Sequence, residues 1–439
     1  MLRLFYLTIL CLGLAVPATA QTYIPSTTTI ARKASSYASV ESVASKLRRL
    51  ASQAAANNPL DAAVASGVTM TTATAANGSQ TKQYLPNTTP NVFAVHGGTA
   101  RIYNTSFWAF PVSSVAPATD GNLNGYFSDT PDAQAMGWEV AFVTDDPLPT
   151  IRVSGFNAGN SNFRVIVDGQ YVTKAATTYA QTGLSYVQLD FGGIRQPRHI
   201  RFRSMGGNLF GGVLVGALST VWAPDESDVI RVAFTGDSYS DRLGYTGSTV
   251  LPDAMWCHVV GNLLGWRDVR QVAVGGTGYL NNGGVRSTIQ NQIPRWIGIK
   301  PDVVVFAAGY NDSIASPSAL TSAALLALQT VRASLPDAAI IVVGPWPGAG
   351  GQSAAVLSKE AAILSAVQQF SDPLTMFVPQ ENVDTPWISG TGYVGATNGS
   401  GNSDLYISSD TIHPSEAGHI HLGRRAASAI RDAITHLPN

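Results

Sequence analysis

A serine hydroxyl is a weak nucleophile until a base takes its proton. One serine in this chain is placed where such help could reach it. Ser238 follows the run Ile230-Arg-Val-Ala-Phe-Thr235, which closes in Gly236-Asp237-Ser238 before the chain turns polar. A buried strand that delivers a residue to the rim of a parallel sheet has this pattern, and ligands of open α/β sheets bind at that rim. Alone, Gly-Asp-Ser is also ordinary turn chemistry. Its meaning depends on partners elsewhere, and Asp410-Thr411-Ile412-His413-Pro414 supplies two. A neutral imidazole such as His413 suits proton abstraction near pH 7. Asp410 could accept the other ring N–H, fixing the tautomer and favouring the imidazolium. Asp410 could instead cap a helix that begins near Pro414, but capping leaves His413 without a purpose. Attack on a carbonyl also needs hydrogen-bond donors aimed at the developing oxyanion. The backbone N–H of Ser238, a glycine in Val274-Gly-Gly-Thr-Gly-Tyr279 and the side-chain amide of Asn311 are available.

The elements that must carry these residues are legible from Asp228 onward. Apolar runs over Val229-Thr235, Arg270-Val274, Asp302-Ala307, Ala338-Val343 and Met376-Val378 read as strands buried on both faces. Helical patterns fall between them, near Pro252-Leu264, Val285-Ile297, Ser316-Ser334 and Ala354-Phe370, with a last one from Pro414 to about His436. This alternation predicts a doubly wound parallel sheet with helices on both sides. Ser238, the Gly275–Gly278 loop and Asn311 then follow the first three strands, and His413 precedes the last helix. All four should meet at one edge of the sheet.

With order, spacing and strand ends in agreement, residues 228–439 resemble the SGNH, or GDSL, hydrolase superfamily. Its serine block is similar to Gly236-Asp237-Ser238-Tyr239-Ser240, its asparagine block to Gly309-Tyr310-Asn311-Asp312 and its histidine block to Asp410-Thr411-Ile412-His413. The resemblance implies a flavodoxin-like fold, Ser238 as nucleophile, His413 as base and Asp410 as its acid partner. It implies an oxyanion hole of Ser238, Gly276 and Asn311, with Gly278 the second choice for the glycine. The leucine that often follows the serine is replaced by Tyr239. The chemistry implied is ester hydrolysis without a cofactor or metal.

The rest of the chain divides into three parts. Met1–Ala20 has Arg3, an apolar run from Leu4 to Val16 and a small-x-small ending at Ala18 and Ala20. It reads as a secretory signal cleaved before Gln21, so a secreted or periplasmic location is expected. Cleavage would remove Cys11 and leave Cys257, in an apolar helical pattern, as a lone buried structural cysteine. Residues 21–87 read as a helical and low-complexity segment. One helix is expected over Ser39–Ala55, with Lys46, Arg48 and Arg49 on its solvated face, followed by linker to Gln83. Residues 88–222 read as an all-β, jelly-roll-like sandwich of short strands, with a tight hairpin at Asp168-Gly169. A sandwich ahead of such a hydrolase domain is similar to the layout of some carbohydrate esterases that remove acetyl groups from polysaccharides.

That layout makes an acylated carbohydrate or polysaccharide the expected substrate. Tyr239, Tyr310, Trp346 and Trp387 lie in loops at the same sheet edge and are candidate substrate contacts, as is Tyr393 in the long 382–404 insertion. Tyr103, Phe107, Trp108, Tyr126, Trp138 and Tyr171 could form a sugar-binding face on the sandwich or its core. Composition sets the outer limits. At 439 residues the chain suits two or three domains, and a net charge of -1 gives no electrostatic reason to expect nucleic acid as a partner. Two rival readings use the same residues: a carbohydrate O-acetyltransferase with the same triad, and a glycan-binding protein whose hydrolase domain is vestigial.

Overall fold

The computed structural model describes residues 41–54, 63–104, 106–110, 137–155, 162–179, 183–241, 250–284, 286–312 and 316–438. The expected signal segment Met1–Ala20, its cleavage point before Gln21, Cys11 and Tyr126 lie outside the described residues. From Ser42 onward the chain forms one unit. It holds two antiparallel sheets and one parallel sheet.

The parallel sheet has five strands, Arg231–Gly236, Asp268–Gln271, Val303–Ala307, Ala339–Val343 and Thr375–Val378. Their spatial order is second, first, third, fourth, fifth, so the first strand is flanked by the second and the third. The crossovers therefore leave that strand toward opposite sides, which opens a crevice beyond its carboxyl end. The alternation of side chains along each strand sorts them between two cores. Val232, Phe234, Val305 and Ile341 pack with helices Trp256–Leu264 and Glu416–Ile434. Ala233, Val304, Phe306 and Ile340 pack on the other face with helices Ile289–Trp296, Pro317–Ser334 and Ala354–Phe370. Both faces are covered, which is why the strands read as continuous Val/Ile runs. Cys257 is buried in the first of these cores, and burial pushes its thiol up from the ordinary value.

The N-terminal helix runs over Val43–Ala54, with residues 39–40 and 55 of the expected span outside the described residues. Ala44, Leu47, Leu50 and Ala51 enter the same core as Trp256 and Ile430. The basic face is not simply solvated. Lys46 donates to Val229 O (2.9 Å), Arg48 to Leu437 O (2.7 Å) and Arg49 to Asp228 (2.9 Å). The helix is thereby clamped across the entry and exit of the α/β domain.

The tract expected as linker carries two strands instead. Thr69–Ala73 pairs with Gly183–Asp190, and Lys82–Tyr84 pairs with Asn208–Val215. Thr69–Ala73 is a mostly exposed edge strand, so backbone pairing rather than an apolar period defines it. These strands extend one of two seven-stranded antiparallel sheets. The sheets enclose a core that includes Trp138, Phe142, Phe163, Phe202 and Phe210. The hairpin turn falls on Asp168 (φ 48°) and Gly169 (φ 89°), between paired strands Asn162–Val167 and Gln170–Tyr171. Two left-handed residues in a row suit the twist of a two-residue hairpin.

The two sheet systems meet through buried charge. Glu139 receives Arg203 Nε at 3.0 Å, Arg201 Nη1 at 3.3 Å and His96 Nδ1 at 3.4 Å. His96 Nε2 lies 2.5 Å from Glu226 in the connection between domains. Arg203 also donates to the Tyr171 hydroxyl, which donates to Asp253 ahead of helix Trp256–Leu264 (3.0 and 3.1 Å). Arg164 pairs with the same carboxylate at 3.2 Å. Gly97 N–H donates to Asp268, the first residue of the second parallel strand, at 2.7 Å. Low dielectric strengthens such contacts and makes any unpaired member costly.

Candidate active site

Gly236 ends the first parallel strand at φ 154°, and a Cβ there would lie 1.9 Å from the carbonyl oxygen of Ala307 on the neighbouring strand. Only glycine fits so close an approach. The chain then turns through Asp237, whose carboxylate accepts the Tyr239 N–H at 3.1 Å. This turn presents Ser238. The Ser238 hydroxyl lies 2.8 Å from His413 Nε2, and His413 Nδ1 lies 2.7 Å from Asp410. The three side chains form one hydrogen-bonded chain across 175 positions of sequence.

Asp410 builds its own loop. Its Oδ1 accepts the N–H of Ile412 and of His413, both at 2.9 Å, and the Ser408 hydroxyl at 2.7 Å, leaving Oδ2 for the imidazole. The helix that follows is capped by Ser415, which accepts the Gly418 N–H at 3.1 Å, so Asp410 is not its N-cap. Between Asp410 and His413, Thr411 is held at φ 69°. A β-branched residue in that region is strained. Its carbonyl is held by the Ala349 N–H at 2.8 Å. Burial works to raise the Asp410 carboxyl, but the N–H groups of His413 and Ile412, the Ser408 hydroxyl and the imidazole outweigh it and hold it at about 2. Burial lowers His413 below its ordinary value of 6.5, although the bond to Asp410, its charge and that of Asp241 work the other way. The imidazole is therefore neutral near pH 7, the form that can accept a proton from a hydroxyl.

The second and third loops are stitched to the first. Asp241 accepts the Gly275 N–H at 2.9 Å. Asn311 Nδ2 donates to Thr277 O at 3.0 Å. Asp312, buried, accepts the N–H groups of Tyr279, Leu280 and Asn281 at 2.9, 2.7 and 2.9 Å. A Cβ on Gly278 would lie 2.4 Å from that carboxylate, so glycine there makes room for Asp312. Gly276 sits at φ 75°. The backbone N–H groups of Gly276 and Ser238 donate to no described residue. Burial raises Asp237 to about 7, opposed by the Tyr239 N–H, reinforced by the charge of Asp312, and opposed again by the Tyr310 N–H and Lys359.

Aromatic side chains underlie the site. Tyr239 is buried, donates its hydroxyl to Ile412 O, and places its ring 5.7 Å from His413 and 6.0 Å from Trp346. Trp346 in turn contacts Trp256 (5.6 Å) and Trp387 (5.7 Å), and Trp256 donates to Tyr239 O at 3.0 Å. Tyr239, Trp346 and Trp387 thus pack beneath the serine and histidine loops, with 1%, 1% and 3% exposure. Tyr310 is half-buried beside Tyr239 and remains at the rim. Tyr393 is also half-buried and pairs with Ala396 inside the insertion. Of the sandwich aromatics, Phe107, Trp108, Trp138 and Tyr171 are buried, whereas Tyr103 is exposed. Lys359 escaped sequence reasoning. Its Nζ donates to Tyr310 O at 2.7 Å and steadies the asparagine loop, but an isolated lysine in a helical pattern carries no signal of that role. Among the described residues, no cluster of three or more His, Cys, Asp or Glu side chains could hold a metal ion.

Residues 234–420 match the GDSL-like Lipase/Acylhydrolase family. No curated protein sequence matches the chain. Among solved structures, a family two carbohydrate esterase from Cellvibrio japonicus is similar over 84% of this chain and 100% of that one, at TM-score 0.53 and 14% identity. A salicylyl-acyltransferase from a tetracycline biosynthetic pathway is similar over 82% and 98%, at TM-score 0.56 and 14% identity. An acetyl xylan esterase from the rumen bacterium Butyrivibrio proteoclasticus is similar over 81% and 99%, at TM-score 0.51 and 12% identity. These similarities span the sandwich and the α/β domain alike, and the resemblance read from the serine, asparagine and histidine blocks holds. The C-terminal domain of this chain is a GDSL-like lipase/acylhydrolase domain, by family a carboxylic ester hydrolase.

Proposed function

We infer that the protein is an exported serine esterase that removes acyl groups, chiefly acetyl, from a carbohydrate. The observation that carries this reading is the hydrogen-bonded chain Ser238–His413–Asp410, with a neutral imidazole poised on the hydroxyl. In the reaction, Ser238 Oγ bonds to the acyl carbon while its proton passes to His413 Nε2. Asp410, ionised throughout, stabilises the imidazolium that forms. The N–H groups of Ser238 and Gly276 and the amide of Asn311 receive the oxyanion. Collapse breaks the bond to the sugar oxygen, which takes the proton from His413. Water then attacks the acyl-serine by the same route and releases the acid. Tyr310, at the rim, is the aromatic contact offered to substrate.

The carbohydrate assignment is supported by the shared two-domain layout of the esterase structures named above. Export is supported by the Met1–Ala20 pattern. No helix among the described residues is long and apolar enough to cross a membrane. The test is acetate release from acetylated xylan and other acetylated polysaccharides. The wild type should release acetate, and Ser238→Ala should fall to the rate without enzyme. Release that survives Ser238→Ala contradicts the reading. Adding a free sugar acceptor separates the rival, since a transferase would give acetylated acceptor in place of acetate.

A further inference from the structure

Three successive carbonyls of the histidine loop are each held from a different place. Thr411 O accepts the Ala349 N–H at 2.8 Å, and His413 O accepts the Ser408 N–H at 2.7 Å. The middle one, Ile412 O, accepts the Tyr239 hydroxyl. That hydroxyl belongs to the residue after Ser238. A phenol has one proton to give. The Gly348 N–H donates to the same hydroxyl oxygen, so the proton is committed to Ile412 O. Tyr239 is itself fixed. Its N–H donates to Asp237 at 3.1 Å, its carbonyl accepts Trp256 Nε1 at 3.0 Å, and its side chain is buried. The loop needs such a hold. Thr411 lies at φ 69°, where a residue other than glycine stays only if its surroundings impose it. Thr411 O and the Ile412 N–H share one peptide plane, and Ile412 O and the His413 N–H share the next. Asp410 Oδ1 accepts both N–H groups at 2.9 Å. Each plane is therefore gripped on both edges, by Asp410 on one and by Ala349 or Tyr239 on the other. Without the Tyr239 hydroxyl, the plane that leads into His413 would be held on one edge alone.

We propose that Tyr239 is a positioning residue for His413: its hydroxyl fixes the peptide plane that leads into the imidazole and ties the orientation of the base to the turn that carries the nucleophile. This role rests on the serine mechanism given above. The 2.8 Å contact between Ser238 Oγ and His413 Nε2 is then set within one braced unit rather than between two independent loops. Leucine, which often follows the serine in the family, would fill part of the space and leave Ile412 O without its donor.

The experiment compares the wild-type full chain with Tyr239→Phe and Tyr239→Leu on a small acetyl ester. Active sites are counted by exhaustive fluorophosphonate labelling, so that any unfolded fraction drops out of the rate. Tyr239→Phe keeps the ring and loses only the hydroxyl. Its kcat should fall about tenfold or more, because a slightly misplaced catalytic group is costly, with KM and melting temperature little changed. Tyr239→Leu should lose at least as much. The second readout is the exchange with water of the His413 Nδ1 proton, followed by its downfield proton NMR signal and assigned by loss of that signal in His413→Ala. Exchange should be faster in Tyr239→Phe, as the bond to Asp410 loosens. A hydroxyl that serves stability alone would lower the melting temperature and leave both kcat per active site and the exchange rate unchanged, and that result overturns the proposal. A fall in kcat with exchange unchanged overturns it as well. A wild type that neither labels at Ser238 nor hydrolyses the ester overturns the serine mechanism, whereas faster exchange in Tyr239→Phe would still support the hold on His413.

Discussion

His413 and His96 are both largely buried beside carboxylates, yet near neutrality one is neutral and the other a cation. His413 is pushed below its ordinary value and is neutral. Burial alone would lower His96 too, but hydrogen bonds and charge from Glu139 and Glu226 raise it to about 9. The difference lies in the second ring nitrogen. His96 has a carboxylate on each side, whereas His413 has Asp410 on one side and the Ser238 hydroxyl on the other. Asp410 also divides its charge among two backbone N–H groups and a serine hydroxyl. One carboxylate, partly engaged elsewhere, orients an imidazole and leaves it able to accept a proton. Two carboxylates fix it as a cation. The first arrangement can do chemistry, and the second joins domains.

The contrast can be broken at either end. The largest effect is expected from Asp410→Asn, which keeps the shape but supplies the wrong hydrogen-bonding partner for the tautomer. The turnover number should fall by about 10⁴-fold, measured as initial rates on a small acetyl ester, with little change in melting temperature. Glu139→Ala should do the reverse. It leaves Arg201, Arg203 and His96 without their shared counter-charge in a buried setting. Breaking a buried ion pair from one side costs about 3–5 kcal/mol, and denaturant titration should show it while the folded fraction keeps its rate per molecule.

Smaller effects follow from pH and have opposite signs at the two histidines. Above its lowered value His413 is neutral, so kcat/KM should hold from neutrality down past 6.5 and fall only at more acid pH. His96 has a folded value of about 9 against an ordinary 6.5. Its contribution to stability is full below 6.5 and is lost as pH rises through 9. The melting temperature should therefore decline across that alkaline window, and His96→Gln should flatten the decline.

The candidate edge could be read in the sequence because its polar residues end apolar runs: Gly-Asp-Ser alone is ordinary turn chemistry, but three such runs in a strand–helix alternation place Ser238, Gly276 and Asn311 at one rim. The parallel sheet was legible for the same reason, with every strand placed to within a few residues. The support beneath the site was not. Tyr239, Trp346 and Trp387 look alike in sequence whether they stack under a loop or line a groove, and only their burial separates the two. The role of Asp312 was not legible either, because its partners are backbone N–H groups, which leave no mark in composition. The strand Thr69–Ala73 lacks an apolar alternation since it is an exposed edge. The charge cluster draws on strands His96, Glu139 and Arg201–Arg203 and on Glu226, far apart in the chain, and residue types alone do not pair them. Thr411 is a further case, since its left-handed backbone is imposed by the loop around Asp410 rather than by its own preference.

The claim on which the account depends is that neutral His413 activates Ser238. Mass spectrometry of the full chain after exposure to a fluorophosphonate at neutral pH tests it directly. One adduct should form, on the peptide that contains Ser238, and its rate should collapse in His413→Ala. An unlabelled Ser238, or labelling that proceeds undiminished in His413→Ala, would contradict it.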